Sequence, residues 1–149
     1  MTNTPLGTTI TQIGIIVGDI EAKARAWSEI LGLPLPQIRE TAGYEQTQAE
    51  YNGQPTGARA KLAFLNLDNI QIELIEPIDS PSTWRDQLER HGDSLHHIAF
   101  RIQGMGEKVA YLDGHGIPLV QRGEYTGGRY AYLDGVGQLG TILELLEND

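Results

Sequence analysis

Gly92-Asp93-Ser94-Leu95-His96-His97-Ile98-Ala99-Phe100-Arg101-Ile102 reads as a glycine-led turn running into a strand rich in β-branched and aromatic residues. Alternation along an extended chain predicts His97, Ala99 and Arg101 on one face, and His96, Ile98, Phe100 and Ile102 on the other. An imidazole among small and apolar neighbours is either a hydrogen-bonded core histidine or a metal ligand. Taken alone, the first reading is the stronger, because buried polar groups usually find partners without a metal. The balance shifts because the same pattern occurs once before in the chain.

Gln12-Ile-Gly-Ile overlays His97-Ile-Ala-Phe at an offset of 85, and Gly32 overlays Gly116 at an offset of 84. Around the first of these stretches, Thr11–Val17 reads as a strand. Asp19 is a suitable N-cap, and Ile20, Ala24, Trp27, Ile30 and Leu31 recur at helical spacing as far as Gly32 and Pro34. Pro36–Thr41 reads as a short strand and Tyr44–Gly57 as a long polar loop. Ala58–Leu67 and Ile70–Glu76 are strands joined through a tight Asp68-Asn69 turn. Thr83–His91 is a short helix with Trp84 and Leu88 four apart.

After that helix the grammar restarts. Strand Leu95–Ile102 is followed by helix Met105–Gly114 and strands Ile117–Arg122, Arg129–Asp134 and Thr141–Glu147, with Gly123–Gly128 as a glycine-rich linker. Each half therefore reads β-α-β-β-β. The expected fold is α+β: two tandem βαβββ modules forming a cupped, half-barrel mixed sheet with helices outside, since one such unit cannot close its curved sheet alone. The expected organisation is a single domain over residues 1–149, with module one at about 10–77, a connecting helix at about 80–91 and module two at about 93–149.

Each module places one polar residue on its first strand and one on its last. These are Gln12 and Glu73 in module one, and His97 and Glu144 in module two. Glu73 lies in Ile-Gln-Ile-Glu-Leu-Ile and Glu144 in Thr-Ile-Leu-Glu-Leu-Leu, both with apolar neighbours. Carboxylates are rarely buried unless paired or bound to a metal. Any one of the four is unremarkable; four at equivalent repeat positions form a constellation. Three oxygen donors and one imidazole suit a hard or borderline divalent ion, with zinc, nickel, cobalt, manganese and magnesium all admissible.

Composition narrows the field. A chain of 149 residues buries roughly 70% of its unfolded surface, enough for a real core. With no Cys, disulfides, thiolate metal sites and cysteine nucleophiles are excluded. The formal charge of −9 argues against nucleic acid or an anionic membrane as partner. Met1–Thr9 has neither a basic start nor an apolar run, and no window approaches a membrane span, so a cytoplasmic protein is expected.

The chain resembles the vicinal oxygen chelate superfamily (glyoxalase, bleomycin resistance and dioxygenase proteins), and within it most closely glyoxalase I and methylmalonyl-CoA epimerase. The resemblance rests on Gln12-Ile-Gly-Ile-Ile-Val with its Asp19 helix start, Ile72-Glu-Leu-Ile-Glu-Pro, Leu95-His-His-Ile-Ala-Phe and Leu143-Glu-Leu. It implies metal ligands at Gln12, Glu73, His97 and Glu144. Many members carry His at the first position; glyoxalase I of the eukaryotic type has the Gln, Glu, His, Glu set. It implies an isomerase, epimerase or lyase that moves a proton next to a carbonyl through an enolate or enediolate, with Glu144 as the first base and Glu73 as the second carboxylate. The alternative is a non-catalytic binder of small molecules or drugs. An iron dioxygenase is disfavoured because that chemistry prefers two His and one carboxylate.

The implied substrate is a small molecule with adjacent oxygens. The positions corresponding to glutathione contacts hold Ile16, Pro77 and Asp93, which cannot pair with a carboxylate, whereas the stretch after Glu76-Pro77 is more similar to the epimerase and its thioester substrate. Arg101, Arg129 and Tyr130 are candidate substrate contacts. Members are commonly homodimers, and some exchange modules between subunits.

Overall fold

The computed structural model describes residues 3–149. Module one starts with strand β1 (Gln12–Ile16) and helix α1 (Ile20–Leu31). The Asp19 side chain caps the helix by accepting from Ala22 N–H, and Gly32 ends it in the left-handed region at φ 70°. Ile20 and Ala24 are buried and Trp27 packs beside them, but Ile30 is 81% exposed. At 100° per residue Ile30 lies about 80° off the stripe that Ile20, Ala24 and Trp27 define, so its apolar character does not place it in the core. Leu31, in the last turn, is also exposed.

Next come β2 (Arg39–Glu40), α2 (Tyr44–Thr47), β3 (Glu50–Tyr51), β4 (Gln54–Pro55), β5 (Ala60–Asn66) and β6 (Gln71–Pro77). The expected loop at 44–57 is thus a helical turn and a small hairpin. The Pro36–Thr41 strand shrinks to its two paired residues. Helix α3 (Thr83–His91) leads to module two: β7 (Ser94–Arg101), α4 (Met105–Gly114), β8 (Leu119–Tyr125), β9 (Gly128–Leu133), α5 (Val136–Leu139) and β10 (Ile142–Asn148). The glycine-rich linker expected at 123–128 is the tip of the β8–β9 hairpin, where Gly123 pairs with Tyr130.

All ten strands form one sheet in the order β2-β5-β6-β1-β7-β10-β9-β8-β3-β4. β1 runs parallel to β6, β7 runs parallel to β10, and β1 and β7 meet antiparallel at the seam. Two βαβββ units are thereby related by an approximate twofold axis between β1 and β7. The β3–β4 hairpin belongs to module one but pairs on β8 at the far edge of module two. Tyr51 hydrogen-bonds Asp86 of α3, fastening the hairpin there.

The duplication extends to the helix starts. Glu76, three residues after Glu73, accepts from Ile20 N–H at the start of α1. Glu147, three residues after Glu144, accepts from Gly104 and Met105 N–H at the start of α4. A carboxylate at a helix N-terminus satisfies orphan donors and the helix dipole together.

Two apolar clusters pack each module's helix against its own strands, one around Ile20, Leu65 and Leu74 and the other around Leu112, Leu133 and Leu145. A third lies where α3 meets the sheet interior, with Ile16, Ala60, Ile75, Trp84 and Tyr132. No helix among the described residues is long and apolar enough to cross a membrane.

Candidate metal centre

Four adjacent strands, β6, β1, β7 and β10, carry the four polar residues inward. The register aligns Gln12 with Ala99 and Gly14 with His97 across the seam, Glu73 with Gly14, and Glu144 with Ala99. Gln12 and His97 thus each face a residue with little or no side chain on the other central strand. All four side chains are buried and meet within a single chain, so no exchange of modules is needed to assemble the group. Oxygen atoms of Glu73 and Glu144 and a ring nitrogen of His97 lie within 4.8 Å of one another.

His97 Nε2 is 3.1 Å from Glu144 Oε1, 3.5 Å from Glu73 Oε1 and 3.0 Å from Gln12 Oε1. The inward end of the Gln12 amide is also 2.8 Å from Glu144 Oε1 and 3.3 Å from Glu73 Oε1. Donors about 2.1 Å from a shared ion sit about 3.0 Å apart at neighbouring corners of an octahedron and about 3.4 Å apart on a tetrahedron. The five separations fall on that scale. The donor set fits a divalent cation.

The Gln12 amide lies between Gln71, whose amide is 2.7 Å from its outer end, and Glu144 Oε1, Glu73 Oε1 and His97 Nε2 at its inner end. With its nitrogen inward the amide donates to the two carboxylates; with its oxygen inward it adds a third oxygen beside the imidazole, the set that suits a cation.

A break in strand register explains why two consecutive histidines point inward. Gly14 opposes His97 while Ile15 opposes Leu95, leaving His96 as the extra residue of a bulge. Strict alternation, which predicted His96 on the other face, fails at this point. His96 is buried, with Nδ1 2.9 Å from His97 Nδ1 and Nε2 3.2 Å from Thr83 Oγ1. With His97 Nε2 turned to the other ligands, the chain assigns His97 Nδ1–H as donor to His96 and His96 Nε2–H as donor to Thr83. The His97 ring lies flat over Gly14, where a Cβ would come within 2.1 Å of His97 Cε1.

Burial, and then the Glu144 charge, push the Glu73 carboxyl up to about 8. Burial opposes protonation of His97, but Glu144 and Glu73 outweigh it and raise the imidazole above its usual value. His96, buried with no carboxylate against it, is pushed well down by burial and by His97, and stays neutral.

The profile of the Glyoxalase/Bleomycin resistance protein/Dioxygenase superfamily matches residues 11–132. The chain belongs to this superfamily. Among curated proteins, it is 26% identical over 141 residues to the uncharacterized protein YqjC of Bacillus subtilis (strain 168), covering 93% of this chain and 91% of that one. Among solved structures, methylmalonyl-CoA epimerase of Mycobacterium tuberculosis shares the fold at a TM-score of 0.66 and 22% identity, covering 100% of this chain and 93% of the other. A hypothetical protein of Bacillus halodurans C-125 has a TM-score of 0.66 and 20% identity, over 95% and 94% of the two chains. A Streptomyces coelicolor methylmalonyl-CoA epimerase variant in complex with 2-nitronate-propionyl-CoA has a TM-score of 0.63 and 22% identity, over 95% and 97%.

In this member of the superfamily, a cavity of about 900 Å³ opens over the ligand group, at the upper end of the range for small-molecule sites. Its wall includes Gln12, Gln71, Glu73 and Glu144, the aromatic residues Phe64, Trp84, Tyr130 and Tyr132, and Ala49 from the inserted segment. Tyr132 accepts from Trp84 Nε1 at 3.0 Å, and Tyr130 accepts from Gln121 Nε2 at 3.0 Å. Burial, reinforced by Glu144 and Glu73, raises both phenols, so their hydroxyls stay protonated and able to donate.

Of the three candidate substrate contacts, Arg101 and Tyr130 line the cavity and Arg129 does not. Arg129 is held by Glu124, Glu147 and Asp149, because its position on β9 faces three acids on neighbouring strands and the terminus. Reading from sequence passed over Gly14, Gln71 and His96. Gly14 had a signal, since it overlays Ala99 in the repeat; the His96 bulge had none.

Proposed function

We propose that this protein is a divalent-metal-dependent isomerase, epimerase or lyase that moves a proton next to a carbonyl. The observation that carries the reading is the convergence of Gln12, Glu73, His97 and Glu144 on one buried point, at separations of 2.8–3.5 Å that suit donors around a cation. Gln12, Glu73, His97 and Glu144 would hold the ion, whose chemistry when bound is to polarise the substrate's oxygens as a Lewis acid. The substrate is a small molecule with two adjacent oxygens. Coenzyme A thioesters lead the candidates, because structural neighbours include an epimerase in complex with methylmalonyl-CoA and NH4+.

Glu144 takes the proton from the carbon beside the carbonyl, and Glu73 returns one from the other side. Glu144 is placed first by analogy with the superfamily, and Glu73 is the second carboxylate of the site. The His96–Thr83 chain holds the His97 ring in one orientation throughout. Trp84, Tyr130 and Tyr132 wall the reacting carbon from water, and the two phenols donate toward oxygens of the bound molecule.

Solvent-deuterium exchange into candidate thioesters and α-hydroxy ketones tests the proposal. Exchange is expected with metal-loaded protein, is lost on chelation and returns on adding the ion. Exchange that survives complete demetallation, or E144Q at wild-type rate, overturns it.

A further inference from the structure

We propose that Arg101, with Asn148 and Thr126, forms an anion subsite, so that the substrate carries a carboxylate or phosphate at a distance from its chelating oxygens. The inference rests on the proposed function and adds the charge and reach of the molecule that fills the cavity.

Two arginines line the cavity, Arg39 and Arg101, and neither lies within 4.0 Å of a carboxylate among the described residues. Arg25, Arg85 and Arg90 also have no carboxylate within that distance, but none of them lines the cavity. Arg39 bonds its neighbour Gln37 on the two-residue edge strand β2. Arg101 is better placed, at the end of central strand β7 on the face that carries His97 and Ala99.

Asn148, whose Oδ1 accepts from Tyr125 O–H at 3.2 Å, and Thr126 line the same cavity and bring an amide N–H₂ and a hydroxyl able to donate. Glu124 is the carboxylate that lines this end; Arg129, which also pairs with Glu147 and Asp149, lies 3.5 Å from its Oε2 and offsets its charge without a hydrogen bond. Arg101, with no carboxylate within 4.0 Å, is left to meet an anionic oxygen group beside an amide and a hydroxyl.

The register gives the reach. Ala99 lies level with Gln12 and Glu144, and Arg101 is two residues further along β7. Asn148 is four residues beyond Glu144 on β10, with Leu146 between them facing the cavity. At about 3.3 Å per residue, the anionic group sits about 7–13 Å from the chelated oxygens, across an apolar stretch.

Suberic acid monohydroxamate, which places a chelating head and a carboxylate at opposite ends of a six-methylene chain, tests this on the metal-loaded protein. Its methyl ester and a phosphonate of equal length serve as comparisons. The acid or the phosphonate is expected to bind at least 10-fold tighter than the ester, and whichever binds tighter names the group. R101Q is expected to abolish that preference with ester affinity unchanged, while R25Q, which removes the same charge from the exposed face of α1, changes neither. Equal binding of acid, phosphonate and ester to the wild type, or a preference that survives R101Q, overturns the subsite.

A second measurement keeps the outcome separate from the metal. Modification of Arg101 by phenylglyoxal, read by peptide mass with and without metal, is expected to be slowed by suberate or 6-phosphonohexanoate while Arg25 is not protected. Absence of protection overturns the subsite whatever the metal does. Protection in a protein that binds no acetohydroxamate instead overturns the metal-dependent reading alone.

Discussion

Gln71 lies 2.7 Å from the outer end of the Gln12 amide across the parallel β1–β6 pair, so the turn of the Gln71 amide sets which end of Gln12 faces His97 and the two carboxylates. An amide is a weak neutral ligand, so its contribution depends on orientation more than on charge. Replacing Gln71 with Met keeps the volume and removes the acceptor. The Gln12 amide then has no polar partner at its outer end, and nothing opposes the orientation that donates to Glu144 and Glu73. Metal affinity is expected to fall by about 10–100-fold, as for other partners that orient a ligand. Competition against a chromophoric chelator reads the loss directly. An unchanged affinity in Q71M would show that Gln71 does not orient the ligand.

Gly14 is the position where the strand seam has no room. A Cβ there would meet His97 at 2.1–2.6 Å from three ring atoms. The imidazole is also wedged against Tyr132 and His96, with ring centroids 5.2 Å and 5.1 Å away, so it cannot step aside without losing its place. G14A is expected to cost at least 100-fold in metal affinity and about 1–3 kcal/mol in stability through overpacking. Denaturant unfolding and metal titration on the same variant check both numbers. Wild-type metal binding in a folded G14A protein would contradict the seating of His97 described here.

Much of this was legible before any coordinates. The repeat of Gln12-Ile-Gly-Ile in His97-Ile-Ala-Phe, and of Ile-Glu-Leu-Ile-Glu around Glu73 in Leu-Glu-Leu-Leu-Glu around Glu144, encodes both the paired modules and the four polar residues that meet between them. Period-two patterning places alternate residues of each strand on the inner face, and equivalence of the modules picks the polar one. The failures share a cause. The His96 bulge, the β3–β4 hairpin on β8 and the exposure of Ile30 are each decided by a partner distant in sequence: Gly14 and Ile15, Arg122 and Gln121, and the limit of the sheet beneath α1. Local pattern carries no record of those partners.

His96 shows what such a partner contributes. It does not line the cavity, yet it receives the outer nitrogen of His97 and passes the hydrogen bond to Thr83. H96L would leave His97 Nδ1–H without an acceptor in a buried setting, at a cost of about 1–3 kcal/mol. H96N offers an acceptor of smaller reach. Metal affinity is expected to fall by about 10–100-fold in H96L and to recover in part in H96N. With cobalt bound, H96L is also expected to shift the visible ligand-field spectrum, because ring orientation alters the ligand field. A spectrum and affinity identical to wild type would reduce His96 to packing.

The buried acids set a pH dependence whose sign is fixed. In metal-free protein, Glu73 keeps its proton up to about 8 against an ordinary value of 4.5, while the unfolded chain releases it near the ordinary value. His97 is raised as well, so its stabilising charge is present below its ordinary value of 6.5 and is lost as pH climbs through the folded value. In both cases the native state binds more protons than the unfolded state across the window, so stability falls with rising pH, by about 1.4 kcal/mol per pH unit for each proton retained. Thermal melts in chelator are therefore expected to drop steadily from pH 5 to pH 8. Saturating metal displaces the retained protons, so the slope flattens and apparent metal affinity rises over the same range. E73Q, which has no proton to give up, is expected to lose about one proton's share of the slope. A metal-free melting temperature that stays level or climbs between pH 5 and pH 8 would mean that the carboxylates are not crowded as the distances from His97 Nε2 indicate.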